Sequence, residues 1–217
     1  QLLQEVFHLR YGPYAEEVRG SYQKLESAWK YIAEWRAWHG SVLRQLIAWD
    51  GQQPKAPLDC RDSFGTVEAA LADADRALPL MQDALDSIEE CLRMEQNRHQ
   101  PPQTTPEAVN PLIARSFEAR TDLYSKRLAE YRRHFTYGLL TMQLMAGCLR
   151  YHHALYQGDS SASEGSWVII EKSADQLDQL WVPLSYDYPG PDILVKDGLT
   201  RTQLRVLVRH LRHWRRE

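Results

Sequence analysis

The stretch FEARTDLYSKRLAEYRRHFTYGLLTMQLMAGCLRYHHALY, residues 117–156, decides the fold. Phe117, Thr121, Tyr124, Leu128, Tyr131, Phe135, Gly138, Met142, Met145, Leu149, His152 and Tyr156 follow one another at steps of four and three without a slip. That spacing puts them on one face of an α-helix. A rod of this length spans roughly 60 Å at 1.5 Å per residue. Alone it would leave its stripe wet, so it needs partners along its length. Two earlier helices packed at the shallow crossing angles of a bundle supply them. Gly138 and Gly147 lower helix propensity, so each is expected to mark a bend or the close approach of a neighbour.

Two helical segments precede it. Thr66 reads as the N-cap of a helix running toward Gln96, with Leu71, Leu78, Met81, Leu85, Ile88 and Leu92 as its apolar face. Pro79 lies inside that run and is expected to kink it, or split it near Leu78, because it lacks a backbone donor. From Pro13 to about Trp49 a second run places Ala28, Tyr31, Ile32, Trp35, Trp38, Val42, Leu46 and Trp49 on one face, with a kink or break at Gly40-Ser41. Gln1 to Leu9 reads as a short helix. Asp50 to Gly65 is a loop punctuated by Gly51, Pro54 and Pro57. Asn97 to Pro106 holds no apolar side chain except proline and reads as a surface connection between helices.

Toward the C-terminus, Gly158 to Gly165 is small and polar, hence a loop. Ser166 is expected to cap a shorter helix to about Trp181, with a strand over Trp167–Ile170 as the alternative. Val182 to Leu199 carries Pro183, Pro189, Gly190, Pro191 and Gly198 and reads as irregular. Thr200-Arg201-Thr202-Gln203 is a capping box that opens a last helix, with Leu204, Leu207, Val208, Leu211 and Trp214 on its buried face. The fold class is therefore all-α: an antiparallel helical bundle of long helices, with a short C-terminal helix and an irregular Pro/Gly-rich loop. The expected organisation is one helical domain over 1–217, and a start inside a helix reads as a piece of a longer protein.

Composition narrows the function. The 217 residues carry a net charge of −3, and 43% are hydrophobic, with 7 Trp and 11 Tyr, enough for a sizeable core. The pI near 6.3 argues against a nucleic-acid partner, which usually meets a basic domain. No apolar run approaches the ~20 residues that span a bilayer, so no membrane partner is expected. Cys60, Cys91 and Cys148 are scattered and show no zinc spacing, so they read as buried or free thiols, with a single disulfide left open.

Few groups point to chemistry. Glu16-Glu17 and Glu89-Glu90 are adjacent on helices, so their side chains diverge, whereas a glycosidic acid/base pair faces across roughly 5–10 Å. His152-His153 point about 100° apart on a helix; His152 continues the core stripe and His153 does not. Asp187, Asp192 and Asp197 are spaced too widely for a calcium loop. Arg201, Arg205, Arg209, Arg212, Arg215 and Arg216, with His210 and His213, make the last helix basic. They favour its carbonyl end and can pair with acidic helices. No metal site and no cofactor is expected. Trp29 lies about 120° from Trp35 on a regular helix. An exposed Trp off the main stripe can stack on a sugar ring or anchor another domain, whereas a central helix that buries two faces would hold it in the core.

Tyr11-Gly12-Pro13-Tyr14-Ala15-Glu16-Glu17-Val18, followed by Tyr22, Leu25 and Trp29, resembles the start of the helical region behind the catalytic barrel in bacterial α-glucuronidase-like and hexosaminidase-like glycoside hydrolases. Arg120-Thr121-Asp122-Leu123-Tyr124, running on to Tyr131 and Leu139-Leu140, is similar to a later helix of that region. The likeness covers residues 7–30 and 115–156, and Tyr14 stands where the family has a small residue. It implies a non-catalytic accessory domain that buttresses an upstream catalytic domain of the same chain, borders its cleft and leaves room for a homodimer. The catalytic carboxylates of such enzymes lie on the barrel, so no catalytic residue is carried onto this chain. Tyr11, Tyr14 and Trp29 become the candidate interface or sugar-stacking residues. Two other readings stand beside it: a free-standing helical protein-interaction module, and an enzyme acting through His152, His153 and the Asp187–Asp197 loop.

Overall fold

The computed structural model describes residues 2–32, 42–60, 65–98, 111–187 and 201–214. In chain order these form α1 (Leu2–Tyr11), a 3-10 turn (Gly12–Tyr14), α2 (Ala15–Ile32), α3 (Val42–Ala48), α4 (Val67–Arg98), α5 (Pro111–Gln157), α6 (Ser160–Asp187) and α7 (Arg201–Trp214). No strand occurs among the described residues, and the fold is an all-α helical bundle. Contacts gather into two units. Unit 1 is Gln1–Ser27 with Leu80–Thr136, and unit 2 is Ala28–Pro79 with Tyr137–Glu217. Helices α2, α4 and α5 contribute residues to both.

In unit 1, Tyr14 meets Glu95, and Lys24 meets the Asp83 carbonyl and the Ser87 hydroxyl, so α2 and α4 run antiparallel. The unit 1 part of α4 buries Met81, Ala84, Leu85, Ile88, Cys91, Leu92 and Glu95. These steps of three and one are those of a helix with one face in a core. From α5 come Leu128 and Phe135, and from α2 come Ala15 and Val18. Thr121 and Phe117 of the expected stripe lie on α5, where no side chain before Leu123 is described.

Unit 2 is organised differently. Its part of α5 buries Tyr137, Leu139, Leu140, Leu144, Met145, Ala146, Cys148, Leu149, His152 and Ala154, which cover every side of the helix rather than one stripe. This segment is the central helix of the unit. Opposite it, α4 buries Val67, Ala70, Ala74 and Ala77, and the three alanines are 0% exposed. Small side chains let two helices lie close, and Asp75–Arg150 and Glu68–His153 pairs mark the antiparallel register of α4 and α5. Gly147 does the same for α6: a Cβ built there would stand 3.0 Å from Ile170 Cγ1.

The turn between α5 and α6 is two residues long. Gly158 adopts φ +74, the left-handed conformation that suits glycine. The Asp159 N–H donates to the Ala154 carbonyl at 2.9 Å and the Gly158 N–H to that of Leu155 at 3.1 Å, which is the Schellman arrangement. Asp159 then caps α6, its Oδ1 accepting from the Ala162 N–H at 2.9 Å. One residue closes the first helix and the next opens the second.

Several sequence expectations change here. The helix after Gly158 begins at Ser160, not Ser166, because Asp159 provides the cap. Ser166 sits inside α6 and donates to the Ala162 carbonyl at 2.7 Å. Trp167–Ile170 is helical, and α6 continues through Val182 to Asp187. Pro79 does not split α4, which runs unbroken over 32 residues. Proline's missing donor falls on an exposed side, where water can satisfy the freed carbonyl. In the first run Pro13 lies in the 3-10 turn rather than in a helix, α2 is described to Ile32, and α3 begins at Val42, directly after the expected break at Gly40-Ser41. Trp35, Trp38, Gly40 and Ser41 fall outside the described residues, as do most of 97–106 and 188–200. Thr66 caps α4 as expected, its hydroxyl accepting from the Ala69 N–H at 3.2 Å.

Two glycines separate packing from propensity. Gly165→Ala in α6, where an added Cβ meets nothing within 4 Å, should stabilise the protein by about 0.5–1 kcal/mol in urea unfolding. Gly147→Val should destabilise it by about 1–3 kcal/mol through overpacking against Ile170. Equal effects from the two substitutions would contradict the close α5–α6 approach.

Candidate functional site

The opening motif builds a joint in unit 1. Gly12 has φ +54, a backbone that favours glycine, and a Cβ there would lie 2.6 Å from Tyr124 Cζ, so any side chain would be strained and would displace that ring. Pro13 follows in the turn, where its fixed φ suits the start of a helix. Tyr14 donates from its hydroxyl to Glu95 Oε2 at 2.5 Å. Glu95 is fully buried. Burial first, and then the bond to Glu95, pushes the Tyr14 phenol up to about 12. A hydrogen bond to a buried carboxylate is of the stronger, charge-assisted kind.

Tyr11 belongs to an aromatic cluster. Its ring lies 5.7 Å from Phe7 and 5.2 Å, edge-on, from Tyr131. Tyr22 packs edge-on against Phe7, Tyr131 and Phe135. Such perpendicular pairs suit the ring quadrupoles and add to the area they bury. The Arg10 guanidinium stands 6.0 Å from the ring centres of both Tyr11 and Tyr131. Arg127 donates to the Arg10 carbonyl at 2.7 Å, at the end of α1 where carbonyls lack helical partners. The phenols of Tyr11 and Tyr22 are both pushed up, chiefly by burial.

These placements bear on the candidate stacking residues. Tyr11 is 1% exposed and Tyr14 5% exposed. Neither ring has a face open to a sugar or to another domain. Their aromatic area is spent on the joint itself, so both are reassigned from surface to core. Trp29 belongs to unit 2 and is half-buried on α2. The partner of Tyr14 was missed. Glu95 is a charged residue at a core position, and its place on the α4 stripe that runs from Met81 through Ile88 and Leu92 was the available signal.

Unit 2 holds the remaining polar candidates. His152 is buried, and its ring lies 4.8 Å from that of Trp49. His153 lines a cavity of about 520 Å³ with Leu58, Cys60, Thr66, Glu68 and Tyr156. Its Nε2 stands 3.6 Å from Glu68 Oε1, beyond hydrogen-bond distance. Glu68 is held below the usual carboxylate range by its own backbone N–H and the Thr66 hydroxyl. Burial pushes the Cys60 thiol up to about 11, so it stays protonated at neutral pH and is a poor nucleophile. The two histidines thus point to different surroundings, and they do not form one site. Asp187 ends α6, and Asp192 and Asp197 lie outside the described residues. Arg212 of the basic helix pairs with Asp175 Oδ1 at 2.8 Å and Asp178 Oδ2 at 2.5 Å, both on α6. Among the described residues no group of three or more His, Cys, Asp or Glu side chains could hold a metal ion, and the three cysteines are free thiols. No described helix is long and apolar enough to cross a membrane.

Comparison with known protein families, curated proteins and solved structures finds no match for this chain.

The joint makes a direct prediction. Tyr14→Phe should cost about 1.5–3 kcal/mol in chemical unfolding, because buried Glu95 loses a donor. Gly12→Ala should cost at least about 1 kcal/mol through the left-handed backbone and the Tyr124 contact. Both variants should move Tyr124 and Tyr131 aromatic resonances in NMR spectra. Wild-type stability in both would refute the joint.

Proposed function

We propose that this chain is a non-catalytic helical accessory domain of a carbohydrate-active enzyme, a glycoside hydrolase, and that it buttresses a catalytic barrel preceding it in the same protein. The observation that carries this reading is the joint. Gly12 under Tyr124, Tyr14 on Glu95 and Tyr11 against Phe7 and Tyr131 spend the opening motif on fixing α1 to α2, α4 and α5. A domain that braces a neighbour needs that kind of stiff lead-in, since a loose one would transmit no orientation. The same motif is the one that resembles the region behind the barrel of α-glucuronidase-like enzymes. Val6, 51% exposed, and Leu9, 80% exposed, stand outward on α1 and suit an apolar contact with the preceding domain.

The alternative, a free-standing protein-interaction module, is favoured by Val168 and Ile169, adjacent apolar residues 57% and 39% exposed on α6.

The complete reading frame and its product separate these. The accessory reading expects a (β/α)₈ region encoded before Gln1. It also expects a full product that hydrolyses an aryl α-glucuronide or β-N-acetylhexosaminide, while the 217-residue chain does not. Turnover by the 217-residue chain alone would overturn the non-catalytic assignment. A frame without a barrel would leave the interaction module.

A further inference from the structure

Unit 2 contains a buried imidazole placed under the residue that holds the last helix. His152 is 6% exposed on the central helix α5. The Trp49 ring covers it at 4.8 Å, inclined at 67°. Trp49 follows α3, and its Nε1–H donates to the Gln52 carbonyl at 2.9 Å, which fixes the indole in one orientation. It also packs against Tyr151 at 5.8 Å and against Trp214, the last residue of α7, at 4.6 Å between ring centres. Gly51 completes the contact. It has φ +82, and a Cβ there would lie 2.7 Å from Trp214 Cγ. Trp49 is therefore shared. It seals His152 on one side and anchors α7 on the other.

We propose that this arrangement is an acid-opened clasp, in which charging His152 parts Trp49 from Trp214 and releases α7 from unit 2. Among the described residues no carboxylate pairs with His152 in the closed state. The ionisable neighbour that acts on His152 is His153, also on α5, and it opposes a second positive charge. Around them, α4 carries Glu68, which faces His153 at 3.6 Å. The segment after α3 carries Asp50, whose Oδ1 accepts from the Gln52 N–H at 3.0 Å. Helix α7 carries His210, Arg212 and His213, and Arg212 is held by Asp175 and Asp178. A buried cation without an ionic partner is costly, so the charged ring must reach water. Parting the shared indole from Trp214 would give it a route.

Burial, and secondarily His153, holds the His152 pKa down to about 4 in the closed state. Once exposed it returns toward the ordinary value near 6.5. The sign follows from linkage. A base whose pKa is depressed in the closed state binds more protons when open. Closure is thus complete above about pH 6.5 and weakens as pH falls toward 4. At pH 5 the opening equilibrium should rise about 30-fold over its value at high pH.

Hydrogen exchange of the 217-residue chain tests this, with rates corrected for intrinsic pH dependence. Amides of α7 should exchange about 30-fold faster at pH 5 than at pH 8, while those of α5 and α6 change little. Trp fluorescence should shift over the same range. His152→Leu should remove the pH dependence. If leucine disturbs folding, His152→Gln gives the same readout with a neutral polar ring substitute. Trp214→Ala should speed α7 exchange at every pH and flatten its profile. Asp175→Asn with Asp178→Asn controls for acid loss of the Arg212 pairs. The clasp is refuted if α7 shows no acid response, if all helices respond together, or if the response survives His152 replacement. None of these outcomes depends on whether the chain braces a catalytic barrel.

Discussion

A helix buried on all sides has no face for water, and that constraint shapes unit 2. From Tyr137 to Ala154, α5 places apolar side chains around its whole circumference. Every polar group it carries must then be managed locally. Arg150 reaches Asp75, His153 approaches Glu68, and His152 is left uncharged beneath an indole. Coverage must come from several directions at once. The alanine row of α4, the Ile170 side of α6 and the indole of Trp49 each supply part of it. Remove one, and the central helix meets water along a side that offers it only hydrocarbon.

Unit 1 follows the other common solution, helices with one buried stripe each. Its distinguishing element is polar. The Tyr14–Glu95 bond places a carboxylate in a core, where the cost of desolvation is repaid only by good geometry. Such a pair is a weak source of stability, but it tolerates little displacement. Together with Gly12, whose backbone and neighbouring ring disfavour any side chain, it ties the approach of α1 to one arrangement. Rigidity here comes from two unrelated restrictions, one steric and one electrostatic.

Much of this was legible in the residues. The four-and-three stripe of α5 identified the fold class, because periodicity survives whatever packs around it. Thr66 was readable as a cap since side-chain capping is a local event. The burial of α4 was harder: Leu71 and Leu78 look like the core, yet Ala70, Ala74 and Ala77 hold it. Alanine signals little hydrophobicity, and its value in close packing appears only with the neighbour in place. The start of α6 was misplaced because eight small polar residues read as a loop, while Asp159 and the left-handed Gly158 together make the shortest possible turn. Tyr11 and Tyr14 read as interface or stacking aromatics because nothing local to them points to Tyr131 or Glu95. Each is explained only by the other side of a contact some eighty or more residues away along the chain.

The three thiols add a property of a different kind. Cys91 lies in unit 1, Cys60 and Cys148 lie in unit 2, and all three are buried. Burial raises each above the ordinary thiol range. A thiol so enclosed reacts with an alkylating reagent only while its surroundings are transiently undone. The rate at which each sulfur becomes labelled is therefore a clock for the fluctuations of its own neighbourhood. The chain carries internal stopwatches for both halves of its architecture, with no foreign probe introduced.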